Sequence, residues 1–113
     1  MEHDVRPWGE YFVLDDSKTH KVKRIMVKPG GRLSYQYHFH RAEVWTIVQG
    51  EALITINGVD KVFKVGEVAQ IPLLAKHRIQ NCGTEPLVFI EVQWGNSFEE
   101  TDIVRVEDDY NRS

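Results

Sequence analysis

The chain has 113 residues, 42% apolar and 27% charged, with a formal net charge of −3 from 14 basic and 17 acidic side chains. That length fits one domain, residues 1–113, able to bury a core without cross-links, and the acidic balance argues against a nucleic-acid partner, which needs a basic excess. The lone Cys82 excludes an internal disulfide. The polar start Met1-Glu2-His3-Asp4 and the lack of any long apolar run lead us to expect a cytoplasmic protein with no membrane partner. On that expectation the sequon Asn111-Arg112-Ser113 is a false positive.

In chain order the pattern is one of short strands between turn residues. Residues 8–14 form the first, after Arg6-Pro7, and 15–19 are a polar loop. Residues 21–27, rich in Val and Ile, lead into the turn signal Lys28-Pro29-Gly30-Gly31. Residues 33–40 form the next strand, Arg41-Ala42 a short turn, and 43–49 a strand with Glu43, Trp45 and Ile47 on one face and Val44, Thr46 and Val48 on the other. After Gly50, strands 52–56 and 61–65 join around Asn57-Gly58, a two-residue hairpin signal. Gly66 marks a turn, 68–71 a short strand ended by Pro72, and 77–81 a strand with His77, Ile79 and Asn81 on one face. A loop over 81–86 holds Cys82 and precedes 87–93, apolar on both faces and so a central strand. A helical turn is expected at 98–101 and a last edge strand at 103–106. The whole predicts an all-β sandwich or barrel, and exposed sheet edges predict a homodimer.

Gln36-Tyr37-His38-Phe39-His40-Arg41-Ala42-Glu43 is the stretch richest in chemistry. In an extended strand His38 and His40 share a face, with Gln36 beside them. Glu43 opens the facing strand, and His77 supplies a further imidazole. Imidazoles and a carboxylate suit one divalent ion, Zn, Fe, Mn, Co or Ni; the competing reading is histidines that are structural or solvated. The wider spacing separates the two. Six residues lie between Glu43 and Gly50, fifteen between Gly50 and Gly66, five between Gly66 and Pro72, four between Pro72 and His77, and three between His77 and Asn81.

This spacing resembles the two motifs of the cupin family, a double-stranded β-helix or jelly-roll barrel. Leu74 stands where the family has Gly, six residues separate Gly31 from His38, and two separate His40 from Glu43. The resemblance implies metal ligands His38, His40, Glu43 and His77; the altered spacing leaves open a second assignment in which Gln36 and His38 form the strand pair. A closer resemblance, from Arg6 to Arg112, is carried by Arg6-Pro7-Trp8-Gly9-Glu10-Tyr11, Lys28-Pro29-Gly30, His40-Arg41-Ala42-Glu43, Ile71-Pro72, His77-Arg78 and Ile90-Glu91-Val92-Gln93. These segments look like the type II mannose-6-phosphate isomerase domain, with Val44 and Phe39 where the family often has histidine. In that family the domain commonly follows a guanylyltransferase domain, whose nucleotidyl transfer is not carried over to this stretch.

The resemblance implies a metal-dependent aldose–ketose isomerase, interconverting mannose 6-phosphate and fructose 6-phosphate in carbohydrate metabolism and polysaccharide biosynthesis. Such a reaction needs a metal to polarise a carbonyl and a base to carry a proton. Glu91 is the candidate base, with a buried carboxylate paired to an arginine as the bland alternative. Arg41, beside the ligands, is the second candidate catalytic residue, and Arg24, Arg41 and Arg78 are candidate phosphate contacts, because the guanidinium fork matches phosphate oxygens; each is otherwise a surface or strand-pairing charge. Trp45 and Trp94 either stack on a sugar or fill the core. Two further functions compete: an iron-dependent dioxygenase of a small organic substrate, and a non-catalytic sugar-binding module.

Overall fold

A computed structural model describes residues 2–99 and 102–109 of the chain. Among them are eleven strands and no helix: β1 (His3–Arg6), β2 (Gly9–Asp16), β3 (His20–Val27), β4 (Tyr35–Tyr37), β5 (Arg41–Gln49), β6 (Ala52–Ile56), β7 (Val59–Phe63), β8 (Val68–Ile71), β9 (His77–Asn81), β10 (Leu87–Gly95) and β11 (Val104–Glu107). They form two antiparallel sheets, one ordered β1-β2-β3-β10-β5-β8 and the other β11-β4-β9-β6-β7. No helix among the described residues is long and apolar enough to cross a membrane.

Strict alternation along the long strands makes the barrel, because a period of two puts one residue set inside and the other outside. In β10 the inward set is Leu87, Phe89, Glu91 and Gln93; in β5 it is Arg41, Glu43, Trp45 and Ile47; in β3 it is Lys21, Lys23, Ile25 and Val27, and all of these are buried. Each set is apolar at one end and polar at the other. The register stacks the ends in phase, with Leu87 opposite Val27, and Glu91 opposite both Lys23 and Trp45. The apolar ends join Ile54 and Ile79 of the second sheet in the core, where Phe89, Ile47 and Ile79 are fully buried. Truncating Phe89 to Ala there would cost about 3–5 kcal/mol. The polar ends enclose a cavity instead.

Turn chemistry sets the connections. Asn57 and Gly58 adopt φ of +49° and +81°, and Ile56 pairs with Val59 directly across them. A two-residue turn with positive φ at both positions matches the strand twist, so β7 begins at once, two residues earlier than expected. The loop after β9 is tied by Asn81, whose Nδ2 donates to the carbonyls of Val27 and Glu85 and whose Oδ1 accepts from the Gly83 amide. Cys82 is exposed in that loop.

Three other local expectations are revised. β1 was not anticipated; its residues are half-exposed and show no apolar alternation. No helical turn forms at Phe98 and Glu99, and the rest of that segment, like the Asn111-Arg112-Ser113 sequon, lies outside the described residues. Most important, the strand expected over 33–40 is only β4, and the turn falls at His38, Phe39 and His40, not at Arg41-Ala42. β5 reaches back to Arg41 because Arg41 pairs with Gly95 and the Asn96 amide donates to the His40 carbonyl at 2.8 Å. A side chain on Gly95 would collide with that same His40 carbonyl, so only glycine allows this approach.

Candidate metal centre

Three buried side chains converge at the polar end of the barrel. His38 lies just beyond β4, Glu43 points inward from β5, and His77 opens β9; they are 3%, 2% and 2% exposed. One ligating atom from each lies within 4.8 Å of the others. His38 Nε2 is 3.4 Å from Glu43 Oε2, and His77 Nε2 is 3.8 Å from Glu43 Oε1. Both imidazoles are oriented by carbonyls: His38 Nδ1 meets the Asp102 carbonyl at 2.5 Å, and His77 Nδ1 the Ala75 carbonyl at 2.8 Å. A carbonyl only accepts, so each Nδ1 carries the proton and each Nε2 keeps its lone pair.

The electrostatics suit that state. Burial, and then the Arg41 guanidinium, push the His38 pKa down to about 4; burial does the same to His77, also to about 4. Both rings are therefore neutral at pH 7, which is the form that binds metal. Two neutral imidazoles and one carboxylate fit a divalent transition metal such as Zn, Fe(II), Mn, Co or Ni; at His38 the ion would take the Nε2 lone pair that now accepts from the Arg41 guanidinium. His38, Glu43 and His77 would hold it.

A second layer surrounds this set. The Trp45 indole N–H lies 3.0 Å from Glu43 Oε1 and 3.1 Å from Glu91 Oε2, bridging the two carboxylates. Gln93 Nε2 donates to Glu91 Oε1 at 2.5 Å, and Gln93 Oε1 is buried without a hydrogen-bond partner among the described residues. Burial, reinforced by the charge of Glu43, lifts the Glu91 pKa to about 7. Arg41 Nε donates to Glu43 Oε2 at 3.1 Å, and its guanidinium reaches His38 Nε2 at 3.2 Å. The cavity bounded by these groups measures about 100 Å³, and Arg6, Lys23, Gln36 and Arg105 complete its polar wall.

The expected site residues divide accordingly. His38, Glu43 and His77 come together, Arg41 and Glu91 stand on the cavity wall, and Gln36 lines it. His40 is exposed in the bend after β4 and stays outside the cluster; face-sharing between alternate residues holds only while the strand continues, and this one ends at Tyr37. Arg24 is exposed, on the outer face of β3. Arg78 is engaged elsewhere, donating to the carbonyls of Leu33 and Glu107 and lying 3.8 Å from the Glu107 carboxylate, with its guanidinium 6.0 Å from the Tyr35 ring. Trp94 is 44% exposed, whereas Trp45 is part of the site. Phe39 is also exposed, and Val44 lies on the outer face of β5, so the two positions of missing histidines are both outside the cavity.

Arg6, Lys23, Gln93 and Arg105 were not anticipated. Two of them carried a readable signal: Lys23 shares its parity with Ile25 and Val27, and Gln93 with Leu87 and Phe89, and a polar residue in an inward series is either satisfied or functional. Arg6 and Arg105 reach the cavity from strands at opposite ends of the chain, which no local pattern reveals.

Two antiparallel sheets closed around an inward-facing His and Glu donor set define a cupin barrel, and the cupin domain of Schizosaccharomyces pombe Cnp3 has the same fold: TM-score 0.75, 81% of this chain and 68% of that one, at 17% identity. More narrowly, the chain belongs to the family described as "Mannose-6-phosphate isomerase C-terminal", which matches residues 2–108. It is 50% identical over 107 residues to the mannose-1-phosphate guanylyltransferase ManC of Salmonella typhimurium, and 47% identical over 110 residues to the alginate biosynthesis protein AlgA of Pseudomonas aeruginosa. Those alignments cover 95% and 96% of this chain but 22% of each relative.

These relatives correct the expected activity. ManC is named for guanylyl transfer and AlgA for alginate biosynthesis, neither for aldose–ketose isomerisation. Reading the chain as an isomerase of mannose 6-phosphate is therefore withdrawn. Motif spacing reports the barrel and its donor set, and one barrel with one donor set serves many reactions.

Proposed function

We propose that this chain is a metal-binding cupin module that holds a mannose phosphate in the service of mannose-1-phosphate guanylyl transfer and, through it, of polysaccharide biosynthesis. The observation that carries this reading is the composition of the cavity wall. Beside the donor set stand four cationic side chains, Arg6, Lys23, Arg41 and Arg105, against the two carboxylates Glu43 and Glu91 on the wall and Asp4, which pairs with Arg6 at 2.8 Å. A chain of net charge −3 thus concentrates positive charge in one small space, and a divalent ion would add to it. Such a space favours a phosphate dianion, most of all in a partly desolvated wall where Coulomb attraction is weakly screened.

The ion would supply a point charge for a phosphate or sugar oxygen. The chain's own groups do the rest. Guanidiniums give paired donors to phosphate oxygens, and the unpartnered Gln93 Oε1 offers an acceptor to a sugar hydroxyl. Glu91, buried beside Glu43 and held by Trp45 and Gln93, stands on the same wall as an acceptor or, when protonated, a donor. The same reading includes a homodimer, since the outer strands β7 and β8 display exposed Val59, Val62 and Val68 on sheet edges.

Calorimetric titration of the Co(II)-loaded chain with mannose 1-phosphate, and with its guanosine diphosphate ester, tests the function. Saturable binding that a chelator abolishes is expected. A loaded chain that binds neither compound would remove the reading, and a light-scattering mass of one subunit would remove the dimer.

A further inference from the structure

We infer that Asp102 is a positioning residue for the metal centre, holding His38 in register with Glu43 and His77 from a segment more than sixty residues away. The inference rests on the reading of His38, Glu43 and His77 as metal ligands. His77 sits in a regular strand and is oriented by a carbonyl two residues back. His38 has neither support: β4 has already ended, and the ring's Nδ1 partner among the described residues is the Asp102 carbonyl.

Asp102 grips the whole bend. Its Oδ1 accepts the Phe39 amide at 3.0 Å and its Oδ2 the His40 amide at 2.9 Å, while its carbonyl takes His38 Nδ1. Three successive residues are thus fixed to one. These amides have left the strand ladder, and the carboxylate satisfies them in its place. The residues that follow Asp102 continue the same work: Ile103 and Arg105 line the cavity, and β11 pairs with β4. The segment that aims His38 is also the cavity's wall, so its docking and metal binding favour each other. Partners that orient a metal-bound histidine matter nearly as much as the ligands, with 10- to 100-fold effects on affinity.

Substitution of the side chain separates this role from plain structure, because the carbonyl remains while its position is released. Co(II) affinity, the Co(II) d–d spectrum and the His38 ring tautomer by ¹⁵N NMR would be read on the full chain and on Asp102→Ala, Asp102→Asn and His38→Ala. Asp102→Ala is expected to weaken Co(II) binding by about 10- to 100-fold, alter the spectrum and mix the His38 tautomers of the metal-free chain. Asp102→Asn keeps one acceptor and should fall between it and the wild type. Wild-type affinity and an unmixed tautomer in Asp102→Ala, with binding lost in His38→Ala, would overturn the positioning role while leaving the metal centre intact. If Asp102→Ala does not fold, wild-type affinity in Asp102→Asn overturns it equally. A wild-type chain that binds neither Co(II) nor Zn(II) would overturn the metal reading first, and this inference with it.

Discussion

Gln36 and His77 stand directly opposite each other across β4 and β9, the one Cα pair that the register gives these two strands among the described residues. Gln36 lines the cavity beside the three candidate ligands, while His40 has turned out to solvent. Of the two strand pairs the motif spacing left open, Gln36 and His38 are the residues that line the cavity.

Metal content should follow that geometry. His38→Ala and His77→Ala are expected to lose bound metal, Gln36→Ala to retain it more weakly, and His40→Ala to keep wild-type content. Elemental analysis of the purified variants decides it. Loaded wild type should also outlast His77→Ala on heating, because an ion bound only to the native state adds RT ln(1 + [M]/Kd) to its stability. Loss of metal in His40→Ala with full content in His77→Ala would reverse the assignment.

Arg41 should matter for the anion and not for the ion. It is 5% exposed and touches both Glu43 and His38, so a metal there would sit close to its positive charge. Arg41→Ala removes that repulsion together with a charge-assisted donor worth about 1.5–3 kcal/mol. The expected result is unchanged or tighter metal binding with mannose 1-phosphate affinity lowered roughly 10- to 100-fold. Equal calorimetric affinities in variant and wild type would take Arg41 out of the anion site.

The metal-free chain should lose stability on mild acidification. His38 and His77 have folded pKa values near 4 against an ordinary 6.5, so between those limits the unfolded chain binds more protons and stability falls as pH falls. Glu91 works the other way: its pKa is near 7 folded and 4.5 ordinarily, and its protonated form favours the native state as pH drops through that window. Two groups oppose one, leaving a net loss of stability between neutral pH and about 4.5. Urea midpoints at the two pH values measure it, and Glu91→Gln should steepen the loss. A midpoint that rises on acidification would contradict the assignment of neutral, buried histidines.

Leu74 holds φ at +66° and is 52% exposed, at the position where the cupin motif has glycine. A left-handed backbone costs a side chain of that kind about 1–2 kcal/mol, more than the chain entropy glycine brings back. Leu74→Gly should therefore stabilise the chain by up to about 1 kcal/mol, seen as a higher thermal midpoint. A lower midpoint would show that the half-covered Leu74 side chain contributes more by packing than its backbone costs.

The sequence by itself determined what depends on neighbours along the chain. The inward faces of β5 and β9, the Asn57-Gly58 hairpin and the central place of β10 follow from alternation and turn chemistry, which act over a few residues. Motif spacing carried the family, and with it His38, Glu43 and His77. Tertiary structure decided where alternation stops. His38 and His40 part company because Asp102, sixty-two positions beyond His40, takes the amides of the bend, and because the close approach of Gly95 extends β5 back to Arg41. The cationic wall is likewise assembled from Arg6, Lys23, Arg41 and Arg105, four strands brought together only by closure of the barrel. The reaction was not legible in the motifs, because a barrel and its donor set persist across many chemistries while the groups that choose among them arrive from distant positions, each unremarkable in its own local sequence.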